Sequence, residues 1–355
     1  MRRLTRADDE GAVAVLVAVL LAGGVLLGLT GLVVDVGGLF AKREQLQAGA
    51  DAAAWAVAEN CINNPGSCTS EAQQPVVDEL VTAQLYGPRP NNDVSAAVAG
   101  QVCVDGIDCA VWNTDVECPS LRLTFGDYVE VRAYYQDAGK LTMPAPLSGG
   151  GSKVGVCSRV SWGPPDSLPV TALGIAADCD TGVYRRAEVS PERRDALGIV
   201  PLRGLPDPAP ADILRIDQGG ATDTGCRYAW LGGSPTDEDC LITPSPPQGV
   251  TVLDATAEGT PWFTACADAL ADGEPLLVPI YGEAPPADDG TVYAGNGQVT
   301  VIGFAAFQPT PTADCSTNDG CLSGYFTRVL APRSQPRFID DVPADFGVTV
   351  IGRTG

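Results

Sequence analysis

The sequence of 355 residues contains no histidine. This absence excludes Ser-His-Asp and Cys-His catalytic sites, HExxH metalloprotease sites and histidine general bases. No two cysteines form a CxxC pair, so zinc-ribbon and zinc-finger patterns are excluded as well. A Walker loop is also absent, and Gly295-Asn296-Gly297 is not completed as a dinucleotide fingerprint. We therefore expect neither an enzyme nor a cofactor.

The carboxylates of Asp and Glu remain as candidate catalytic and metal-binding groups. A pair of them can hydrolyse glycosides, but the 44 acidic residues show no pattern that singles out a pair. The run Asp314-x-Ser316-x-Asn318 resembles the start of a calcium loop. Asp319, however, stands where an EF-hand needs glycine, and no glutamate occupies the twelfth position. We expect a turn here rather than a metal site.

Basic residues are scarce, and the formal net charge is −22 at pH 7. A surface this acidic disfavours phosphate backbones and anionic lipid headgroups, so nucleic acid is not an expected partner. Nothing in the composition points to a small-molecule substrate. Aromatic residues make up only 6% of the chain, whereas glycine (41) and proline (29) are abundant. This composition is typical of many turns and short strands.

One stretch lacks charge altogether, from Ala12 to Val34. As a helix it would be roughly 35 Å long, enough to cross a hydrocarbon core of about 30 Å. A secretory signal peptide is the alternative, but its apolar core has only about 7–15 residues and a small-x-small cleavage site follows it. We therefore predict a transmembrane helix over 12–34 behind a short cytoplasmic N-terminus, 1–11. Gly24 and Gly28 within it form a GxxxG, a candidate helix-contact motif.

The cysteines indicate the side of the membrane on which the rest of the chain lies. All twelve fall between Cys61 and Cys321, and an even number on one side of a membrane suits an oxidising exterior. Basic residues flank the apolar run on both sides and favour a cytoplasmic N-terminus only slightly. The prediction is a single-pass cell-membrane protein with its C-terminal domain outside the cytoplasm.

The apolar run continues directly into an alanine-rich helical pattern, predicted over 35–60. Asp35 stands at the seam, where it marks the edge of the hydrocarbon. The residues that fall on one face at helical spacing are Leu39, Leu46, Ala50, Ala53 and Val57. Such a stripe of small residues permits close approach of a partner. We predict a surface for assembly with other subunits; the alternative is that the stripe seats the helix on its own domain.

These features together resemble a known family. The run Gly11–Val15, the apolar span, the segment Val34-Asp35-Val36-Gly37 and the segment Gln45–Ala54 are similar in order and type to the N-terminal module of TadE/TadG-like proteins. Those are single-pass membrane proteins of the Tad (Flp, tight adherence) pilus-assembly system. The chain departs from the usual pattern at Gly38, Gly49 and Trp55. Residues 276–283 and 301–310 are among several segments that resemble the ectodomain of actinobacterial members.

The resemblance implies a membrane-anchored component of Tad pilus assembly, TadG-like or pseudopilin-like, whose partners are other Tad proteins or pilin-like subunits. No glutamate lies five residues after a glycine near Glu10, so processing by a prepilin-type peptidase is not supported. Two alternatives stay open. One is a membrane-tethered extracytoplasmic adhesion or receptor module, and the other is a carboxylate-dependent glycoside hydrolase.

Beyond residue 60 the pattern predicts an α+β fold with a mostly antiparallel β ectodomain that contains disulfides. A helix is expected over 74–86, where Gly87-Pro88 stops it. The predicted strands are 96–104, 128–135, 154–162, 276–281, 298–307, 325–330 and 348–351. A boundary near residue 165 would divide the ectodomain into a first α+β lobe, 61–165, and a β-rich second lobe, 166–355.

Disulfide connectivity cannot be deduced from cysteine spacing. We predict that the bridges are local in sequence. The predicted pairs are Cys61–Cys68, Cys103–Cys109, Cys226–Cys240 and Cys315–Cys321.

Overall fold

The helices and strands below come from a computed structural model of the full chain. It describes residues 8–86, 97–104, 118, 126–136, 153–219, 225–232, 240–252, 261–271, 273–282, 298–310, 312, 315, 321–334, 336–338 and 345–354. These residues form α-helices, mostly antiparallel sheets and several disulfides, which confirms the α+β class.

The longest element is helix α1, Asp8–Asn63, which runs for 56 residues. No proline interrupts it, and its alanine and leucine content favours a helix. Pro65 follows two residues after its end. In the described part of the chain, no helix combines the length and apolar character that a membrane crossing needs.

Helix α2, Ser70–Tyr86, begins four residues before the predicted start. The hydroxyl of Thr69 accepts a hydrogen bond from the Ala72 amide at 3.3 Å, and the Gln73 side chain donates to the Ser67 carbonyl at 3.0 Å. The Thr69 contact caps the helix ahead of Pro75, which lies inside it, and the Gln73 contact ties its first turn to the preceding segment. The cap at Thr69 therefore sets the helix start earlier than the predicted residue 74.

Two shorter α-helices, fifteen strands and three 3₁₀ turns complete the described elements; the turns are Pro65–Ser67, Ala177–Cys179 and Pro210–Asp212. The helices are α3, Pro191–Leu197, and α4, Pro261–Ala271. The strands are β1 Ala97–Val104, β2 Asp127–Gln136, β3 Lys153–Gly163, β4 Val170–Thr171, β5 Leu173–Ala176, β6 Val200–Pro201, β7 Leu214–Gln218, β8 Arg227–Trp230, β9 Leu241–Ile242, β10 Gln248–Thr251, β11 Leu276–Gly282, β12 Gln298–Pro309, β13 Cys321–Thr327, β14 Val329–Pro332 and β15 Val348–Arg353.

The chain divides into two compact units, and neither is continuous in sequence. The first unit comprises Met1–Val57, Ser67–Pro119 and Glu130–Ser158. Its strands follow the order β1-β2-β3, and α2 packs on β1. Helices α1 and α2 approach closely at Gly49, where an added Cβ would lie 3.1 Å from the Val81 Cα.

The second unit comprises Ala58–Gly66, Ser120–Val129 and Arg159–Gly355. Its main sheet runs β10-β12-β11-β5-β8-β7-β13, and β13 pairs with β12 as well. The six strands from β12 to β13 therefore form a closed ring, which leaves those strands without open edges. The ring's core contains Tyr228, Phe307 and Phe326, each no more than 1% exposed.

A second sheet of this unit is built on the C-terminal part of β3. Residues 160–163 pair with β15, which lies parallel to β14, and β14 pairs in turn with β6. A second hydrophobic cluster includes Leu277 and Phe304 from the ring together with Val329 and Val350 from this sheet. The ring and this second sheet thus share a common core, and β4 and β9 form a separate two-stranded sheet.

Candidate functional site

The N-terminal half of α1 carries large apolar side chains that are mostly exposed. The exposed fractions are 62% for Val13, 61% for Leu16, 66% for Leu20, 70% for Val33 and 62% for Phe40. A folded domain rarely leaves so long a run of large apolar side chains in water, so a surface of this kind indicates contact with a partner or a lipid phase.

The C-terminal half of α1 differs in exposure, because its apolar face is buried inside the first unit. Leu46, Ala50, Ala53 and Val57 each have no exposed area. A side chain without exposed area cannot contact a partner while its domain is folded. Their burial therefore favours the internal-packing alternative and not the assembly surface predicted from the same stripe.

The remaining residues singled out on this helix are Asp35, Leu39, Gly24 and Gly28. Their backbone belongs to α1, but their side-chain positions lie outside the described residues. The membrane-edge role of Asp35 and the GxxxG contact therefore stay predictions.

Polar contacts fix the buried half of α1 in place. The Lys42 ammonium donates to the Tyr135 hydroxyl at 2.9 Å and lies 4.2 Å from the centre of that ring, close enough for a cation–π contact. One turn further on, the Gln47 amide donates to Asp51 at 2.8 Å and to the Cys157 carbonyl at 3.0 Å. No sequence pattern predicted these contacts of Lys42 and Gln47, because their partners lie on strands about a hundred residues away.

Helix α1 is also the part of the chain that matches a known family. Residues 11–60 match the family model of TadE/G-like Flp pilus-assembly proteins. The N-terminal module of this chain is TadE/G-like. The match begins in the exposed apolar half of α1 and ends in its buried half, so the TadE/G-like module is one continuous helix here. No curated protein and no solved structure matches the chain.

The disulfides differ in part from the predicted local pairs. Cys315 is bonded to Cys321, as predicted. The pair Cys226–Cys240 is wrong, because Cys226 is bonded to Cys179 and Cys240 to Cys266. The antiparallel pairing of β5 with β8 brings Cys179 and Cys226 together across 47 residues, and spacing alone does not show this.

Three of the four cysteines in the two remaining predicted pairs are oxidised. Cys61, Cys68 and Cys103 are each disulfide-bonded, and Cys109 lies outside the described residues. The pairs Cys61–Cys68 and Cys103–Cys109 therefore stay predictions. Cys118, which was assigned no partner, is bonded to Cys157.

One cluster has the residue types of a metal site. The candidate ligand atoms of Cys118, Glu130 and Cys157 lie within 4.8 Å of one another. The two sulfur atoms, however, are bonded to each other, and the Glu130 carboxylate forms an ion pair with Arg132 at 2.7 Å. A disulfide sulfur is not a thiolate ligand, so this oxidised cluster is a structural crosslink beside an ion pair.

An open cleft of about 420 Å³ in the second unit brings two carboxylates together. Glu188 and Asp207 line it beside Arg186, Gln308 and Tyr325. Arg186 forms an ion pair with Asp207 at 2.8 Å, so one carboxylate of the pair is already engaged. Burial raises the pKa of the Tyr325 hydroxyl, and the charge of Glu188 raises it further. The hydroxyl stays protonated at neutral pH and donates to the Arg186 carbonyl at 3.2 Å.

The loop that resembled a calcium site lies mostly outside the described residues, including Asp314, Ser316 and Asn318. Its two ends are described, and the bond between Cys315 and Cys321 joins them. The amide of Cys315 also donates to the Thr312 carbonyl at 3.2 Å.

Proposed function

We propose that this chain is an envelope-anchored component of Flp pilus assembly that acts through protein contacts and performs no chemistry. One observation carries the proposal. The TadE/G-like match over 11–60 coincides with a single helix whose first half is apolar and exposed and whose second half is the buried leading helix of a folded unit. Such a helix joins a folded domain to an apolar environment.

The proposed anchor is the uncharged stretch 12–34, with the N-terminus in the cytoplasm and the folded units outside. Its support is the absence of charge in that stretch and the high exposure of Val13, Leu16 and Leu20. The disulfides on the other side of the stretch suit an oxidising compartment. Mass spectrometry of the mature protein tests the anchor, since residues ahead of Ala12 should remain attached in the membrane fraction. A mature chain that starts near Gly49 would contradict it.

The proposed contact surface is the exposed apolar half of α1, and other Flp pilus-assembly proteins are its proposed partners. A photo-crosslinking amino acid placed at Phe40 should form adducts with such a protein in intact cells. Leu241 in β9 is a matched control, because it is an apolar residue 44% exposed on a part of the chain without the family match. Adducts from Leu241 but none from Phe40 would contradict the assignment of the surface.

A glycoside hydrolase is the second candidate, and the cleft with Glu188 and Asp207 is the observation that favours it. The ion pair between Asp207 and Arg186 weighs against it, because a hydrolase needs both carboxylates at the scissile bond. Replacing Glu188 with Gln should leave pilus formation unchanged if the chain acts by contacts alone. Glycan hydrolysis by the parent chain that disappears in Glu188→Gln would establish the enzyme.

A further inference from the structure

Two arginines near the end of the second unit, Arg333 and Arg337, line the same pocket. Most described arginines of the unit lie within 4 Å of a carboxylate. These paired arginines are Arg185, Arg186, Arg203, Arg215, Arg227 and Arg328. Arg333 and Arg337 form no ion pair among the described residues, although the chain has 44 acidic residues. Among the described residues, these two guanidinium groups outnumber the single carboxylate that lines the same pocket, in a protein of net charge −22.

Both arginines line one small pocket. Its volume is about 270 Å³, and the other lining residues are Asp166, Ser167 and Val350. Arg333 is half-buried and Arg337 is exposed. A pocket of this size accommodates one small ligand or one group of a larger one.

Backbone hydrogen bonds hold the walls of the pocket in position. The Asp166 amide donates to the Arg337 carbonyl at 3.2 Å, and the Arg333 amide donates to the Ile351 carbonyl at 2.9 Å. Next to Arg337, Phe338 packs against Gly163, where an added Cβ would lie 2.9 Å from the ring. The Cα positions of both arginines are therefore fixed before a ligand arrives, which lowers the entropy cost of binding.

The pocket also contains an acceptor. The Asp166 carboxylate accepts a hydrogen bond from the Ser167 hydroxyl at 3.2 Å and forms no ion pair with either arginine. The lining thus has two positive charges and one negative charge. Guanidinium groups bind planar oxyanions through paired N–H donors, and a carboxylate such as Asp166 favours a hydroxyl donor on the same ligand.

From this arrangement we propose that the pocket binds a hydroxylated carboxylate, the chemistry of a uronic acid. The ligand carboxylate pairs with Arg333 and Arg337, and a neighbouring hydroxyl donates to Asp166. An inorganic oxyanion pairs with the arginines but provides fewer hydroxyl donors for the Asp166 carboxylate. A neutral sugar leaves both arginines unpaired. The proposal is independent of a role in pilus assembly, since none of these residues lies in the TadE/G-like module.

The test is binding of glucuronate to the purified full-length chain by titration calorimetry, with acetate, inorganic phosphate and glucose as comparison probes. We expect roughly millimolar affinity for glucuronate, weaker binding of acetate and phosphate, and none of glucose. Arg337→Gln should weaken glucuronate binding by about tenfold or more, because it removes a charge-assisted hydrogen bond. The matched control is Arg215→Gln, which removes an exposed arginine outside the pocket and should leave the affinity unchanged.

Asp166→Asn tests the hydroxyl contact with Asp166 separately from the carboxylate contact with the arginines. It should raise acetate affinity by removing a nearby negative charge, and it should reduce the preference for glucuronate over acetate. Equal binding of glucose and glucuronate by the parent chain would overturn the proposal. An Arg337→Gln variant that binds glucuronate as tightly as the parent would do the same, and the cooperative melting of each variant confirms that it is folded.

Discussion

At the scale of single residues, the buried stripe of α1 sets the sharpest constraint. Ala53 has no exposed area, so the added volume and the amide of Ala53→Gln must displace neighbours in the first unit. Overpacking of this kind typically costs about 1–3 kcal/mol. We expect a lower melting temperature and a lower steady-state level of the protein. Ala48→Gln is the control, because Ala48 is exposed on the same helix and should tolerate the change.

A normal melting temperature for Ala53→Gln together with lost piliation would restore the assembly-surface interpretation of the stripe. That outcome would require the helix to leave its own unit when it assembles, since the folded unit covers Ala53 completely.

A second prediction at this scale concerns pH. The Arg185 guanidinium donates to both Asp212 carboxylate oxygens, at 2.7 and 2.8 Å, and the Ala209 amide donates to the same carboxylate at 2.7 Å. The hydrogen bonds from Arg185 and then from Ala209 lower the pKa of Asp212 below its usual value. Because the pKa of Asp212 is lower in the folded state, its ionised carboxylate stabilises the fold above the unfolded pKa of about 3.9. This stabilisation is lost as the pH falls through the folded pKa.

Asp212→Asn should therefore lower the melting temperature at pH 7 and matter progressively less below about pH 4. Thermal melts of parent and variant across this pH range measure the difference. A gap that stays constant from pH 7 to acid would show that the carboxyl's charge contributes nothing to stability.

At the scale of elements, the approach of α1 to α2 depends on one glycine. An added Cβ at Gly49 would lie 3.1 Å from the Val81 Cα and 3.3 Å from the Gln84 Cβ, whereas at Gly38 it would meet nothing within 4 Å. Alanine is the better helix former by about 1 kcal/mol, so Gly38→Ala should not destabilise the protein. Gly49→Ala should destabilise it, because the contact is with backbone that cannot rotate away. Melting temperatures of the two variants, one rising or unchanged and the other falling, check this prediction; the reverse order would contradict it.

The disulfides give a second prediction about elements. The Cys179–Cys226 bond closes a loop of 47 residues and the Cys315–Cys321 bond one of six. In the chain-entropy model, the longer loop adds about 2 kcal/mol more stability than the shorter one. Replacing both cysteines of the long loop with alanine should therefore lower the melting temperature more than the same change in the short loop. Equal effects of the two double variants in denaturant melts would contradict the entropy argument.

Much of the element pattern was predictable from the sequence. Alternating and continuous apolar runs located β1, β2, β3, β11, β12 and β15 to within about two residues at each end, since these strands have strongly periodic sequences. The strands that were missed, β4 to β10, have two to five residues each and too little sequence for a period to show. Tertiary pairing, not local preference, accounts for them: β5, β7 and β8 complete the ring, β10 pairs with β12, β6 pairs with β14, and β4 pairs with β9.

The candidate site was predictable only in part, for the same physical reason. The family resemblance and the helical period of the α1 stripe depend on neighbouring residues, and both are visible in the sequence. The partners of Lys42 and Gln47, the Cys179–Cys226 bond and the Arg333–Arg337 pocket depend on contacts across strands. Sequence spacing does not encode those contacts.

At the scale of the whole molecule, helix α1 is apolar and exposed at one end and buried in a folded unit at the other. The TadE/G-like match spans both parts, and it supports the proposed role of the chain in Flp pilus assembly. Its contacts would require the apolar part, and its stability would require the buried part. Changes in the apolar part should therefore abolish pili without unfolding the protein, and changes in the buried part should lower the protein's stability.

Counts of surface pili by electron microscopy test the central claim most directly. A strain that lacks this chain should have no Flp pili, and the parent chain supplied in trans should restore them. The same chain with Phe40→Asp should accumulate as a folded, oxidised protein without restoring pili, because the Phe40 side chain is 62% exposed and lies beyond the proposed anchor 12–34. Normal numbers of pili in the strain that lacks the chain would contradict the account.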